Sequence, residues 1–158
     1  MINADISVSK IGLSASKVMS DIHLKSFCDE LDKAWSEDEI ISLFDIPNTN
    51  GYVLSVSNNP CGFVIIREVI DEAEIITFCI LPKQCNNGYA TLLLEWIIKD
   101  LQSNSFGKIF LEVRESNVAA IRLYEKCAFD IIGRRKGYYQ INTHQTIDAL
   151  VMQCDLKK

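Results

Sequence analysis

The middle of the chain changes from one hydrophobic pattern to another at Pro82. Before that residue, apolar runs separated by turn residues predict three consecutive strands, Gly51–Ser57, Gly62–Ile70 and Ala73–Leu81. The third run is almost continuously apolar, which is typical of a central strand covered on both faces. After Pro82, apolar residues recur at helical spacing and predict a helix over about Gly88–Ser103.

The flanking segments extend this pattern at both ends. A short strand near Asp5–Ser9 and two helices, over Ala15–Cys28 and from Ser36 onward, precede the middle strands. Ser36 and Glu39 have the spacing of a capping box, which supports the second helix. The remaining segments are a strand, a helix, two strands and the hairpin tip between them: Lys108–Arg114, Val118–Lys126, Phe129–Arg135, Thr146–Asp155 and Gly137–Thr143.

This order of elements predicts an α/β (α+β) fold built on one mixed sheet. We expect about seven strands and about four helices, and the strand–helix–strand segment Ala73–Arg114 predicts a parallel pair. No repeat, low-complexity tract or linker divides the sequence, so residues 1–158 are predicted to form a single domain.

Composition and charge exclude several classes of protein. With 48% hydrophobic and 23% charged residues, the chain resembles a globular protein rather than a disordered one. A formal net charge of −5 argues against nonspecific nucleic-acid binding, which needs concentrated Lys and Arg. We expect no membrane span, because no apolar segment reaches about 20 residues. Met1–Asp5 lacks a basic start followed by an apolar stretch, so we expect no secretion signal and a cytoplasmic location.

The cysteines and histidines do not form a recognisable metal pattern. The two histidines, His23 and His144, stand far apart. The even number of cysteines permits a disulfide framework, but a chain with a full core does not need one. We therefore expect free thiols and no metal site at the six scattered cysteines: Cys28, Cys61, Cys79, Cys85, Cys127 and Cys154.

The loop after Pro82 leads a buried strand directly into a helix. The first-turn amides of a helix lack internal partners and the helix dipole adds positive potential, so this junction suits an anion such as phosphate. Gly88 and Ala90 would let a phosphate approach the backbone. The alternative is that Gly88 is only a permissive turn residue.

Two polar side chains within apolar elements are candidates for acid–base chemistry. Glu112 shares one strand face with Arg114. It is either a surface residue paired with a neighbour such as Arg114 or a carboxylate held inside as a general base. Tyr124 lies on the apolar stripe of its helix, where a tyrosine bonded to a backbone carbonyl is the alternative to a catalytic phenol. Asn117 is placed to cap that helix.

Three aromatic residues are candidates for the wall of a cleft. Trp35 comes directly before the predicted cap at Ser36, where it is either a hydrophobic anchor or a contact to substrate. Tyr138 and Tyr139 follow the basic residues 134–136, and this segment is either a solvated hairpin or one wall of a small cleft. Three positive charges are too few for nucleic-acid binding.

Together, these segments resemble the GCN5-related N-acetyltransferase (GNAT) superfamily, and the match is closest to the bacterial ribosomal-protein alanine N-acetyltransferases (RimI type). The resemblance covers roughly Trp35 to the end of the chain. Its most specific part is Leu-Glu-Val-Arg-x-Ser-Asn with Leu-Tyr-Glu-Lys behind it. The segments that carry it are 71–75, the loop 82–90, 111–117, 120–126, 138–139 and 148–152.

The resemblance implies a mostly antiparallel sheet that splays open to hold acetyl-CoA between the strands Ala73–Leu81 and Lys108–Arg114. The family's general base and general acid match Glu112 and Tyr124, and no metal is needed. The implied cofactor contacts are Phe78, Cys79, Ile80, Asn86, Asn87, Gly88, Tyr89, Ala90, Thr91 and Asn117. The expected acceptor contacts are Trp35, Tyr138 and Tyr139.

Two positions depart from the family pattern. The family usually has Gln or Arg three residues before the loop glycine, where this chain has Cys85, with Gln84 one step early. We expect weaker cofactor affinity rather than loss of binding, since main-chain amides supply most of the phosphate contacts. The family also favours Gly where Ala128 stands, which questions the local turn geometry but not the chemistry.

The activity implied by the resemblance is acetyl transfer from acetyl-CoA to the N-terminal α-amine of a protein, with a ribosomal protein as the expected acceptor. We expect a monomer or weak dimer without a nucleic-acid partner. Two alternatives stay open, namely acetylation of a small amine or lysine side chain, and non-catalytic binding of acetyl-CoA. The presence of both Glu112 and Tyr124 argues against the second alternative.

Overall fold

Seven strands and four α-helices occur within residues 4–27 and 33–157, which are the residues that the computed structural model describes. The strands are β1 (Ile6–Lys10), β2 (Thr49–Val56), β3 (Asn59–Val69), β4 (Glu72–Ile80), β5 (Lys108–Arg114), β6 (Asp130–Gln140) and β7 (Thr146–Asp155). The helices are α1 (Ser16–Ser26), α2 (Glu37–Phe44), α3 (Tyr89–Ser103) and α4 (Val118–Lys126). The predicted numbers of strands and helices are confirmed.

All of these strands lie in one sheet with the order β1-β2-β3-β4-β5-β7-β6. β4 and β5 are parallel because α3 carries the chain back across the sheet between them. The other neighbouring pairs are antiparallel. The predicted mixed, mostly antiparallel sheet and its parallel unit are therefore confirmed.

The helices cover the two faces of the sheet unequally. α3 and α4 pack on one face, where Leu94 belongs to a cluster that reaches from β2 to β7. α1 and α2 pack on the other face over β2, β3 and β4, where Met19 is fully buried. On this second face, β5 and β6 carry polar side chains, among them Glu112, Arg114 and Arg135. The polar half of this face lies beside α1 and contributes to the site described below.

The turn between β2 and β3 differs from its prediction. The turn lies at Ser57 and Asn58, whereas the predicted strands end at Ser57 and begin again at Gly62, and both turn residues have a positive φ. This conformation is typical of a tight hairpin whose twist matches the strands. Pro60 consequently lies inside β3, opposite Ser55, where the register shifts.

The end of β6 also differs from its prediction. The strand continues to Gln140, whereas the sequence predicted an end at Arg135 and a hairpin tip over Gly137–Thr143. The register against β7 shifts between Arg135 and Tyr139, so the extra residues bulge out and the strand resumes. This bulge brings Tyr138 and Tyr139 to the strand instead of the tip.

The start of α2 confirms the predicted capping box. Ser36 Oγ accepts the Glu39 N–H at 3.2 Å, and the Ser36 N–H donates to the Glu39 carboxylate at 2.7 Å. These bonds fix the position of Trp35 directly before the helix. The first helix ends at Ser26 in the described part of the chain, and its predicted end at Cys28 lies outside the described residues.

Candidate active site

A cleft opens in the sheet because β4 and β5 pair over only part of their length. Their register runs from Glu72 opposite Lys108 to Glu74 opposite Phe110 and then stops. β4 continues along β3 as far as Ile80, while β5 continues along β7. Since each strand follows its other neighbour, the two diverge and leave a cavity of about 460 Å³.

A bulge in β4 lies where the divergence begins. Ile65 pairs with Thr77 and Ile66 pairs with Ile75, so Ile76 is the extra residue on β4. An extra residue reverses which side chains face each side of the sheet, and Phe78 then shares the α3–α4 face with Ile75. Nothing in the sequence indicates this bulge, because a continuous apolar run has no alternation in which a one-residue shift would be visible.

The bulged strand turns main-chain groups toward the gap. The Leu81 N–H donates to the Cys61 carbonyl of β3 at 2.7 Å. Because main-chain groups alternate between the two edges of a strand, those of Phe78 and Ile80 point away from β3 and toward the gap. Those of Cys79 point toward β3. Of the three predicted backbone contacts on this strand, two are thus oriented toward the cleft, and the Ile80 carbonyl already accepts the Ser26 hydroxyl at 3.3 Å.

The loop before α3 has the backbone shape that its glycine permits. Gly88 has a φ of +79° and precedes the first helical residue, Tyr89, and no atom lies within 4 Å of where a Cβ would be. Asn86 also has a positive φ, and the Asn87 side chain donates to the Gln84 carbonyl at 3.2 Å. The first-turn amides of α3 therefore face an uncrowded surface, as an anion site requires.

Glu112 lies in the cleft with its carboxylate paired to an arginine. Its two oxygens accept hydrogen bonds from Arg135 Nη1 at 2.8 and 3.1 Å. The expected ion pair is therefore present, but its partner is Arg135 of β6 and not Arg114. Arg114 lies instead with its guanidinium 5.7 Å from the centre of the Tyr139 ring.

Tyr124 enters the cleft from α4, on the opposite side from Glu112. The side chain is buried between the rings of Phe78 and Phe129, with centroid distances of 6.5 and 5.7 Å. Burial raises the pKa of the phenol above its usual value, so the hydroxyl keeps its proton at neutral pH. No hydrogen bond to a backbone carbonyl, the predicted alternative, is formed by this hydroxyl within residues 4–27 and 33–157.

Both ends of α4 are fixed by hydrogen bonds. Asn117 Oδ1 accepts the Ala120 N–H at 3.2 Å, which confirms the predicted cap. At the other end, the Phe129 N–H donates to the Tyr124 carbonyl and the Ala128 N–H to the Glu125 carbonyl, which form a Schellman motif. Ala128 occupies its left-handed position with a φ of +67°, so the turn that the family builds with glycine forms here with alanine.

His23 forms part of the cleft wall, and the sequence analysis did not include it among the site residues. The side chain is 3% exposed, its Nδ1 accepts the Trp35 N–H at 3.0 Å, and its ring stacks on Phe27 and Trp35. Burial lowers the pKa of the imidazole to about 4, so the ring is neutral at neutral pH. The only signal in the sequence was a histidine on the inner face of α1.

Trp35 takes its predicted role as an anchor, and its contact to substrate stays a prediction. It packs against His23 as an anchor and also lines the cleft. Tyr139 lines the cleft from β6, whereas Tyr138 is 48% exposed and stands edge-on to Tyr139 with the Arg135 guanidinium over its ring. The expected contact between Tyr138 and an acceptor stays a prediction.

The cleft thus brings together residues from six separate segments. The predicted site residues that line it are Trp35, Phe78, Glu112, Asn117, Tyr124 and Tyr139. The other predicted site residues are not among those that line it: Cys79, Ile80, Asn86, Asn87, Gly88, Tyr89, Ala90, Thr91 and Tyr138. A carboxylate and a protonated phenol on two sides of a gap can accept one proton and donate another.

The described part of the chain holds no group of three or more potential metal ligands. Cys61, Cys85 and Cys127 are free thiols, and Cys28 lies outside the described residues. None of the helices described is long and apolar enough to span a bilayer.

The chain is similar in sequence to a known family and to two proteins of known name. Residues 19–129 match the acetyltransferase (GNAT) family. A [ribosomal protein bS18]-alanine N-acetyltransferase from Haemophilus influenzae is 39% identical over 100 residues, which are 63% of this chain and 68% of that protein. The Escherichia coli enzyme of the same name is 34% identical over 101 residues, which are 64% of this chain and 68% of that protein.

Similarity to a solved structure extends over nearly the whole chain. The crystal structure of the ribosomal-protein-S18-alanine N-acetyltransferase from Escherichia coli superposes with a TM-score of 0.87 at 26% identity. The match covers 98% of this chain and 96% of that structure. The first helix, which the sequence resemblance did not include, is thus part of the shared fold.

Proposed function

The chain belongs to the acetyltransferase (GNAT) family, and from this premise we propose that it transfers an acetyl group from acetyl-CoA to the N-terminal α-amine of a ribosomal protein. The chain's relatives with this activity support the choice of acceptor. The observation that carries the proposal is the pairing of Glu112 and Tyr124 across a cleft whose β4 edge is unpaired.

The residues around the gap fit acetyl-CoA. In this proposal the main chain of Phe78 and Ile80 pairs with the pantetheine arm as an added strand would. The amides at the start of α3, beyond Gly88, hold the pyrophosphate through hydrogen bonds and the helix dipole. Asn117 contacts the arm while it caps α4. These are mainly main-chain contacts, which tolerate Cys85 in place of the family's Gln or Arg.

Glu112 acts as the general base in this mechanism. An α-ammonium has a pKa of about 7.7–8.0, whereas a lysine ammonium has one of about 10.4, so the α-amine loses its proton more readily at neutral pH. The Glu112 carboxylate takes that proton directly or through a water, and the free amine attacks the thioester carbonyl. A main-chain amide of β4 stabilises the oxyanion that forms, and the amide of Phe78 has the orientation that this role needs.

Tyr124 acts as the general acid for the departing thiolate. Glu112 passes the first proton to solvent water, the new N–C bond forms, and the nitrogen gives its second proton to Glu112 directly or through a water. The C–S bond breaks, the phenol supplies a proton to the sulfur, and solvent restores the proton of the phenol. A phenol whose pKa is raised by burial is fully protonated and ready to donate. The acetyl group passes directly between substrates, so Cys79 and Cys85 have no role as nucleophiles.

The acceptor's first residues lie, in this proposal, between Trp35 on one side and Tyr139 on the other. Both rings line the cleft near Glu112. Tyr138 extends the same wall at the rim. We further propose that the protein works in the cytoplasm as a monomer or weak dimer.

Mass spectrometry after incubation with acetyl-CoA and a peptide of the first residues of bS18 tests the proposal. The expected product carries one acetyl group on the α-nitrogen. Equal concentrations of a lysine peptide with a blocked N-terminus and of a free polyamine should compete poorly. Preferred acetylation of either competitor would reassign the acceptor, and thermal stabilisation by acetyl-CoA without any product would indicate a non-catalytic binding protein.

A further inference from the structure

Arg135 holds the carboxylate that the proposed mechanism uses as its base. A single guanidinium nitrogen bridges both oxygens of Glu112, at 2.8 and 3.1 Å. The acceptor ammonium must approach the same carboxylate to give up its proton. The carboxylate therefore already has a resident cation bound to it where, in the proposed mechanism, the substrate's cation arrives.

The sheet is built so that Arg135 can reach this position. Glu112 of β5 lies opposite Val151 of β7, and Arg135 of β6 lies opposite Ala149 of the same middle strand. The arginine side chain must therefore reach across β7. Gly133 lies two residues before Arg135 on the strand and Ala149 lies opposite Arg135, so neither position carries a bulky side chain. The ring of Tyr138 supports the guanidinium, whose carbon lies 4.1 Å from the ring centre.

The neighbouring arginine has a different environment. Arg134 points to the other face of the sheet, as expected from the alternation along a strand, and pairs with Glu115 and Asp148. Two adjacent arginines of one strand thus carry the same charge, but only one of them contacts Glu112. This pair provides a matched control.

We propose that Arg135 is a positioning residue that neutralises Glu112, so that the acceptor amine is not trapped as an ammonium ion. The inference rests on the proposed function of the same cleft. A carboxylate with no other partner would form an ion pair with the α-ammonium and favour its charged form, which cannot attack a carbonyl. With Arg135 in place, the negative charge is already balanced, and a second cation nearby disfavours the ammonium. A carboxylate has about four acceptor sites, so Glu112 keeps a lone pair for the proton while it binds Arg135.

Other charged and titratable groups face Glu112 from the surrounding elements. These are Glu74 of β4, Arg114 of β5, Tyr139 of β6, His23 of α1, Tyr124 of α4 and Lys33 before α2. All of them are retained when only Arg135 is replaced. A change in the kinetics or in the pH profile of that variant is therefore due to the lost charge at position 135.

The test is the steady-state kinetics of Arg135→Gln, with the bS18 peptide as the varied substrate. At pH 7 we expect kcat to fall about threefold to tenfold and KM for the peptide to fall by a similar factor, because the ammonium complex becomes more stable. The acid limb of the kcat profile should move by about 0.5 to 1 pH unit to higher pH, so activity recovers in alkaline buffer. Arg135→Lys should restore both parameters.

Arg134→Gln serves as the control, because it removes the same charge from the same strand without touching Glu112. It should leave the kcat profile in place. If Arg135→Gln acted only by removing a contact or by distorting the cleft, KM for the peptide would rise, kcat would fall and the pH profile would not move. That result would overturn the inference.

A binding measurement separates this inference from the proposed function. Calorimetric titration compares the bS18 peptide with its N-acetylated form, which lacks the ammonium. Arg135→Gln should bind the free-amine peptide more tightly by about threefold to tenfold and leave the acetylated peptide unchanged. If the wild-type protein binds the peptide but makes no product, the proposed function fails while this prediction can still hold. If the free-amine affinity does not rise in the variant, or if neither protein binds the peptide, the inference is wrong.

Discussion

The two sides of the cleft are built in different ways. The side proposed to hold the cofactor, formed by Phe78–Ile80 and by Asn86–Thr91, consists mainly of main-chain groups exposed by a bulge, a strand separation and a helix start. We call it the cofactor side. The side proposed to hold the acceptor, which we call the acceptor side, consists of side chains from distant segments, among them His23, Glu112 and Tyr139. One side depends on backbone geometry, and the other depends on which side chains meet.

This difference explains why the segments that contain Glu112 and Tyr124 resemble the family more specifically than the glycine loop does. A main-chain site needs only a glycine, an apolar strand and a helix cap at fixed spacing, so many side chains can change without loss. A side-chain site needs particular residues whose contacts follow from the tertiary fold. We therefore expect substitutions on the acceptor side to change rate and acceptor choice, and substitutions on the cofactor side to act only where they disturb the backbone.

The largest expected effect is on the rate of transfer. Glu112→Gln and Tyr124→Phe should each lower kcat by about a hundredfold to ten-thousandfold, which is the usual contribution of a positioned acid or base. The KM for acetyl-CoA should stay near its wild-type value, since main-chain groups supply most of the proposed contacts to the cofactor. Glu115→Gln, which removes a carboxylate that pairs with Arg134, is the control and should retain kcat. Unchanged kcat in both test variants would refute the assigned roles.

The next effect is a loss of stability in acid that originates on the acceptor side. The pKa of His23 in the folded chain is about 4, below the ordinary 6.5, so the unfolded chain binds more protons between these values. The free energy of unfolding should therefore fall by about 2 to 4 kcal/mol as the pH drops from 6.5 to 4. Urea unfolding of His23→Asn, whose amide oxygen can replace Nδ1 as acceptor, should show a flatter pH dependence over this range.

His144→Asn provides the matched control for this measurement, because His144 lies exposed on the hairpin between β6 and β7. Its pH dependence should follow that of the wild-type protein. If His23→Asn and the wild-type protein lost stability in parallel, the buried neutral imidazole would not be the source.

A change of backbone at Gly88 should affect only the cofactor side. With a φ of +79°, a valine there would adopt a left-handed conformation that costs about 1–2 kcal/mol, although the space beside it is empty. We expect Gly88→Val to raise KM for acetyl-CoA by about tenfold and to leave KM for the peptide unchanged. Gly88→Asn, which tolerates this conformation, should behave almost as wild type. Equal defects in both variants would point to the side chain rather than to the backbone.

The smallest effect is a gain of stability at the end of α4. Ala128 has a φ of +67° at the position of a Schellman motif that glycine usually occupies. Glycine relieves that strain, but the greater flexibility of glycine in the unfolded chain offsets part of the gain. The free energy of unfolding of Ala128→Gly, measured with urea, should therefore be higher by about 0.5 to 1 kcal/mol. The kcat should not change, since the bonds that hold Tyr124 are kept. A destabilised variant would contradict this account of the turn.

The sequence predicted features whose causes are local. The capping box at Ser36, the cap at Asn117 and the glycine turn at Gly88 each depend on a few neighbouring residues, so spacing was sufficient. The mixed sheet and the family were also confirmed, because helical and strand periodicities occur in a recognisable order along the chain.

Features that depend on the register between strands could not be predicted in this way. The bulge at Ile76 leaves no trace in an apolar run. The sequence suggested a neighbour such as Arg114 as the ion-pair partner of Glu112, whereas the partner is Arg135. Arg135 can contact that carboxylate only because the order of strands places β5 and β6 on either side of the same strand, β7. The role of His23 likewise follows from the packing of α1 against Trp35, which no local pattern encodes.

The most direct test is a crystal structure with a bisubstrate analogue in which CoA is joined through its acetyl group to the bS18 peptide. We predict that the pantetheine arm lies along Phe78–Ile80 and that the peptide nitrogen lies within hydrogen-bond distance of Glu112, directly or through one water. The sulfur should lie beside the Tyr124 hydroxyl. A peptide nitrogen on the other face of the sheet, or an arm that does not enter between β4 and β5, would contradict the two-sided site.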